Sequence, residues 1–172
     1  MIHNVVRSAV YFVVCIAIQI LVLNNIHFLR VAIPFFYLYF IIKIPLGYSR
    51  SYILILSFIT GLIIDAFSNT PGMHTAACTL AGFAREPLIQ FFIGKDLPHD
   101  TFPSYKSFGY GGFIRYVVTF VSIHHIALYL LESITLFDPL LIFIRIVASV
   151  LMTSILICAV EAFNLETQKS GE

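Results

Sequence analysis

The chain has 172 residues, 59% of them hydrophobic and 11% charged, with a net charge of +1 and a mean hydropathy of +0.94. Soluble domains average about 25% charged residues, and in water this chain would expose more apolar surface than a monomer tolerates. Lipid is the solvent that fits, and the near-zero charge gives nucleic acid no electrostatic footing.

A membrane helix needs about 20 apolar residues. The first run follows Arg7 and extends from Ser8 to Leu23. It resembles a signal peptide, but Asn24, Asn25 and Ile26 stand where small cleavage-site residues would be, and further apolar runs follow. It reads as an uncleaved anchor helix. The predicted spans are 8–27, 31–44, 51–67, 72–92, 113–136 and 139–163. The second is short, carries Pro34 in its first turn, and is the weakest candidate for a full crossing.

The fourth run is interrupted by Arg85, Glu86 and Pro87. Proline removes a backbone donor and disfavours helix at the preceding residue. Two readings stand. The span ends there, with Leu88 to Phe92 lying on the inner membrane surface, or it continues through a kink. Arg85 is expected near the headgroups. The stretch 94–112, with four glycines, Pro98 and Pro103, has loop composition.

The expected fold is therefore an all-α, polytopic membrane protein: one transmembrane domain over 1–172 with six helices and both ends in the cytoplasm. Arg7, Lys43, Arg50, Lys95, Lys106, Arg115 and Lys169 then fall on the cytoplasmic side and Arg30 outside. With Trp absent, 17 Phe and 9 Tyr supply the interfacial aromatics. Cys15, Cys78 and Cys158 lie in apolar runs without paired spacing and read as small buried residues.

Ionisable groups inside spans are costly and usually face protein, water or a partner. Glu132 lies six residues before Asp138 and Arg145 seven after it. At 1.5 Å per residue both sit about 10 Å from the turn, so an interhelical ion pair is expected in the outer half of the membrane. Asp65, at the outer end of the third span, is read as competing for Arg145, pairing with Arg30, or standing solvated. His124 and His125 lie near mid-span, and His125 shares a face with Glu132. Adjacent histidines point about 100° apart, which suits packing and interhelical hydrogen bonds better than one metal ion. His74, just past the Pro71-Gly72 turn, reads as a surface residue. No nucleophile elbow, phosphate loop or dinucleotide fingerprint is present, so an enzyme is not expected and no cofactor or metal is assigned.

Three stretches together carry a family resemblance: Gly61 through Asp65 to Pro71-Gly72, the Arg85-Glu86-Pro87 break, and His124-His125 through Glu132 to Arg145. In order and spacing the chain resembles the rod shape-determining MreD family, in the form seen in Bacteroidetes. Gly61, Asp65, Pro71, Gly72 and Arg85 are the positions carried over, none with a catalytic role. The resemblance implies a non-enzymatic subunit of the cell-elongation complex in the inner membrane. MreC would be its direct partner, with RodA, the elongation penicillin-binding transpeptidase and the actin-like MreB within the same assembly. It also implies a fold similar to the substrate-binding subunit of energy-coupling-factor transporters. The alternative is a small-molecule-binding subunit of a vitamin-type transporter, with a polar outer cavity lined by Asp65, His74, Glu132 and Arg145. A third reading is a membrane enzyme using His124, His125 and Glu132. The small residues Ala76, Ala77, Cys78, Ala81, Gly82 and Ala84 mark the fourth span for close packing, against a partner helix or internally.

Overall fold

A computed structural model describes residues 2–23, 33–94, 97–133 and 138–170, with side chains over 8–23, 33–94, 97–133 and 138–164. The described residues form helices and turns: α1 (Ile2–Leu21), α2 (Leu38–Lys43), α3 (Arg50–Ser68), α4 (Met73–Phe92), α5 (Tyr105–Glu132) and α6 (Pro139–Ser170). Three are long and apolar enough to cross a membrane, namely Arg50–Ser68, Tyr105–Glu132 and the Pro139–Asn164 portion of α6. Their outward faces are apolar, with Ile55, Phe58 and Leu62 on α3 and Phe143, Leu151 and Ile155 on α6 exposed. Such surfaces suit lipid.

Local chemistry sets the helix ends. The Ser49 side chain accepts from the Tyr52 amide to start α3, and Asn69 ends it in the left-handed conformation, φ 54°. Gly72, φ 85°, completes the reversal into α4. A capping box between Ser104 and Ser107 starts α5. Asp138 Oδ1 accepts from the amides of Leu140 and Leu141 at the start of α6.

Helices α3, α4, α5 and α6 pack side by side in chain order, and α1 packs on α2. The α3–α4 turn, the end of α5 and Ile20 of α1 gather at one end around a common cleft. At the other end the Leu46 and Gly47 amides donate to the Thr101 and His99 carbonyls. Between these ends, residues 33–44 run through the middle of the bundle, and every residue from Pro34 to Ile44 is buried.

Several boundaries differ from the sequence expectation. Helix α4 continues to Phe92 with Pro87 inside it, so the span does not end at the proline. The loop expected over 94–112 stops at Ser104, and Tyr105 to Gly112 belong to α5, which bends at Gly109 (φ 69°). The glycines there mark a kink rather than a loop. Among the described residues of the second span, six are helical. The C-terminal ends of predicted spans one and five, and Arg30, fall outside the described residues.

Candidate functional site

Extended and single-turn backbone inside an apolar bundle leaves amides and carbonyls without helical partners, each costly unless satisfied by protein. The segment 33–44 meets this demand with side chains from three helices. Gln19 of α1 accepts from the Phe36 amide at 2.7 Å and donates to the Pro34 carbonyl at 3.2 Å. From α6, Ser149 and Thr153 accept from the amides of Ile33 and Phe35. At the far end, Arg85 of α4 donates from Nε to the Ile41 carbonyl at 3.0 Å, and from one terminal nitrogen to the carbonyls of Ile42 and Ile44. Arg85 is 1% exposed. The headgroup position expected for it is thus corrected: the fork of donors turns inward because the short α2 presents open carbonyls at its C-terminal end, a site suited to a cation.

Lys43, the last residue of α2, is also buried. Its Nζ lies 3.1 Å from both carboxylate oxygens of Glu161 and 2.8 Å from the Pro103 carbonyl. Tyr39 donates to Glu161 Oε2 at 2.7 Å, and Asn164 donates to the Tyr39 hydroxyl. This ion pair ties α2 to α6 and to the strand of chain entering α5. Sequence alone places Lys43 on the cytoplasmic side and names no partner for it.

Higher in the bundle, the Tyr37 hydroxyl lies 2.8 Å from His74 Nδ1 and 2.9 Å from His124 Nε2. Cys78 Sγ is 3.7 Å from the same His124 nitrogen. His125 Nδ1 is 2.8 Å from the Val121 carbonyl and Nε2 is 3.4 Å from the Thr153 hydroxyl. The Phe35 ring packs against all three imidazoles, with centroids 5.1 to 5.9 Å away. His124 and His125 therefore do pack and bond between helices. His74, expected at the surface, is 5% exposed, because the turn before it folds its side chain toward Tyr37.

Asp65 is buried at the α3–α4 hairpin. Its carboxylate accepts from the Thr70 hydroxyl at 3.0 Å, the amides of His74 and Thr75 at 2.9 Å each, and the Thr75 hydroxyl at 2.5 Å. It thus caps the start of α4 from α3, where negative charge and acceptors are favoured. Asp65 is neither solvated nor paired with Arg145, which pairs elsewhere; the Arg30 reading lies outside the described residues. One turn earlier, Gly61 lets the two helices touch: a Cβ there would stand 2.5 Å from Thr75 Cα and 2.6 Å from the His74 carbonyl oxygen. Gly61, Asp65, Pro71 and Gly72 are thus one device, a tight hairpin with an internal cap. Ala77, Cys78 and Ala81 are fully buried and Gly82 abuts Ser57, so the small residues of α4 serve mainly internal contacts.

Arg145 and Glu132 form the expected ion pair at 3.0 Å, with the two side chains 33% and 42% exposed. Glu132 also lines the end cleft, a volume of about 680 Å³ shared with His74, Asn69, Thr70, Tyr129 and apolar residues that include Phe35 and Leu128. Arg145 lines a smaller neighbouring hollow of about 230 Å³ that shares Tyr129 and Glu132 with it. Asp65 lines neither, being spent on its cap. Among the described residues no three His, Cys, Asp or Glu side chains gather as a metal site. No family model, curated protein or solved structure matches the chain.

Proposed function

We propose that this chain is a non-catalytic scaffold of the MreD type: a subunit of the cell-elongation complex that binds MreC and supports lateral peptidoglycan synthesis. The identity of the partners rests on the sequence resemblance. The observation that carries the scaffold reading is how the interior polar groups are used. Arg85, Lys43, Glu161, Gln19 and Asp65 each hold backbone or a neighbouring helix, which suits a rigid body whose working surface is its outside. In this reading α1, the segment 33–44 and α3 to α6 make six crossings of the inner membrane, with both ends in the cytoplasm. The exposed apolar faces then meet lipid and the membrane helix of MreC, while RodA, the transpeptidase and MreB join through the larger complex. Affinity purification in mild detergent tests this: MreC and the elongation synthases are the expected companions.

A second reading, a small-molecule-binding subunit of a vitamin-type transporter, draws on the end cleft lined by His74 and Glu132. Two of the four residues expected for it, Asp65 and Arg145, do not line that cleft. Recovery of an energy-coupling ATPase module in the same purification would favour it over the scaffold.

A further inference from the structure

The Tyr37 hydroxyl carries one proton and stands between two imidazole nitrogens; with that proton directed at a ring nitrogen, it donates to one ring and accepts from the other. Which ring donates follows from the far side of His124. That ring is fully buried, and its Nδ1 has no hydrogen-bond partner among the described residues. If Tyr37 donated to His124, a neutral His124 would carry its proton on Nδ1, as a sealed N–H without an acceptor. An orphaned N–H is the rarer and costlier outcome. The cheaper arrangement leaves a bare lone pair at Nδ1 and puts the proton on His124 Nε2, which donates to Tyr37. Tyr37 then donates to His74 Nδ1, and the proton of His74 is held on Nε2.

His74 lines the end cleft, and its Nε2 is not among the sealed unpaired atoms. The buried chain of bonds therefore ends on an N–H donor of a residue that lines the cleft. The same cleft is lined by the polar residues Asn69, Thr70 and Tyr129 and by the apolar Met73 and Leu128. A half-apolar cleft of about 680 Å³ with a few fixed polar groups is the usual form of a small-molecule site.

We propose that this cleft binds a small molecule with an apolar body and a carbonyl, carboxylate or hydroxyl oxygen, seated with that oxygen on the Nε2–H of His74. Lipid ester carbonyls and aqueous carboxylates share this chemistry. The site is independent of the partner assignment above, since a scaffold and a transport subunit could equally hold such a molecule.

Nitrogen NMR of ¹⁵N-histidine protein in nanodiscs tests the donor, with His74 assigned from the H74Q spectrum. His74 protonated on Nε2 and His124 protonated on Nε2 are expected; a proton on His74 Nδ1 overturns the proposal. Binding is read by fluorescence. The chain lacks Trp, so Met73→Trp places a single fluorophore on the cleft wall. Two quenchers separate the sources: 4-bromobenzoate added to the water, and phosphatidylcholine brominated on its acyl chains in the nanodisc. Saturable quenching by one of them is expected. His74→Phe should weaken that quencher about fivefold, the loss of one neutral hydrogen bond, and His74→Gln should retain most of it. Quenching by neither, or quenching indifferent to His74→Phe, overturns the site. The NMR arm uses the unsubstituted cleft, so it decides the donor even where His74→Phe fails to fold.

Discussion

The Arg85 guanidinium reaches from α4 to the Ile41 carbonyl, 3.0 Å from Nε to O, and so closes the end of a helix 44 residues earlier in the chain. A single side chain thereby replaces the next turn that α2 lacks. Arg85→Leu leaves a buried group of carbonyls without donors, at about 1–3 kcal/mol for each one stranded. Thermal unfolding in detergent should show Arg85→Leu among the most damaging single changes. Arg85→Lys should recover only part, because an ammonium cannot reproduce the planar fork.

The two ion pairs should behave differently. Lys43 and Glu161 are 4% and 3% exposed, and removing one partner of a buried pair costs about 3–5 kcal/mol. Glu132 and Arg145 are a third or more exposed, where a pair contributes about 0–1 kcal/mol. Lys43→Met should sharply lower the accumulated, folded protein, and Arg145→Met should change it little. A double-mutant cycle at each pair gives the comparison, and equal coupling energies would contradict it.

At the Glu132–Arg145 pair, charge reversal separates a lock from two independent charges. Either single reversal should weaken folding modestly, and the double reversal should restore part of the loss. The change should shrink in high salt, since both groups reach solvent.

Gly61 and Gly72 should differ in how alanine acts. At Gly61 the added Cβ meets main-chain atoms at 2.5 and 2.6 Å, so α3 and α4 must separate, and overpacking of this kind costs about 1–3 kcal/mol or more. At Gly72 nothing lies within 4 Å, and the cost is the left-handed φ of 85° alone, about 1 kcal/mol. Melting temperatures of the two variants should fall in that order. Asp65→Ala should cost about 0.5–2 kcal/mol for the lost cap, rising toward the upper figure because the site is buried.

What the sequence revealed follows the range of each interaction. The Glu132–Arg145 pair was legible because both residues sit a fixed rise from one short connection. The three helices long enough to cross a membrane followed from apolar runs alone. Arg85 was legible as an anomaly but not in its destination, since the open carbonyls at 41–44 exist only because α2 is one short piece of helix. Lys43 hid behind a rule that uses basic residues near span ends only to assign a side of the membrane. Asp65 and His74 hid in a turn whose proline and glycine announced a reversal but not how tightly α3 would press on α4. The tie of Gln19 to Pro34 and Phe36 had no signal beyond a lone polar residue in an apolar helix.

The segment 33–44 also constrains the order of biogenesis. Its amides wait for Ser149 and Thr153, its carbonyls for Arg85, and Lys43 for Glu161. A translocon releasing helices one by one would deliver this stretch before any of its α4 or α6 partners has been synthesised. Alone in hydrocarbon it would be unstable. The middle of the bundle therefore gains its full set of partners only once α6 has been made.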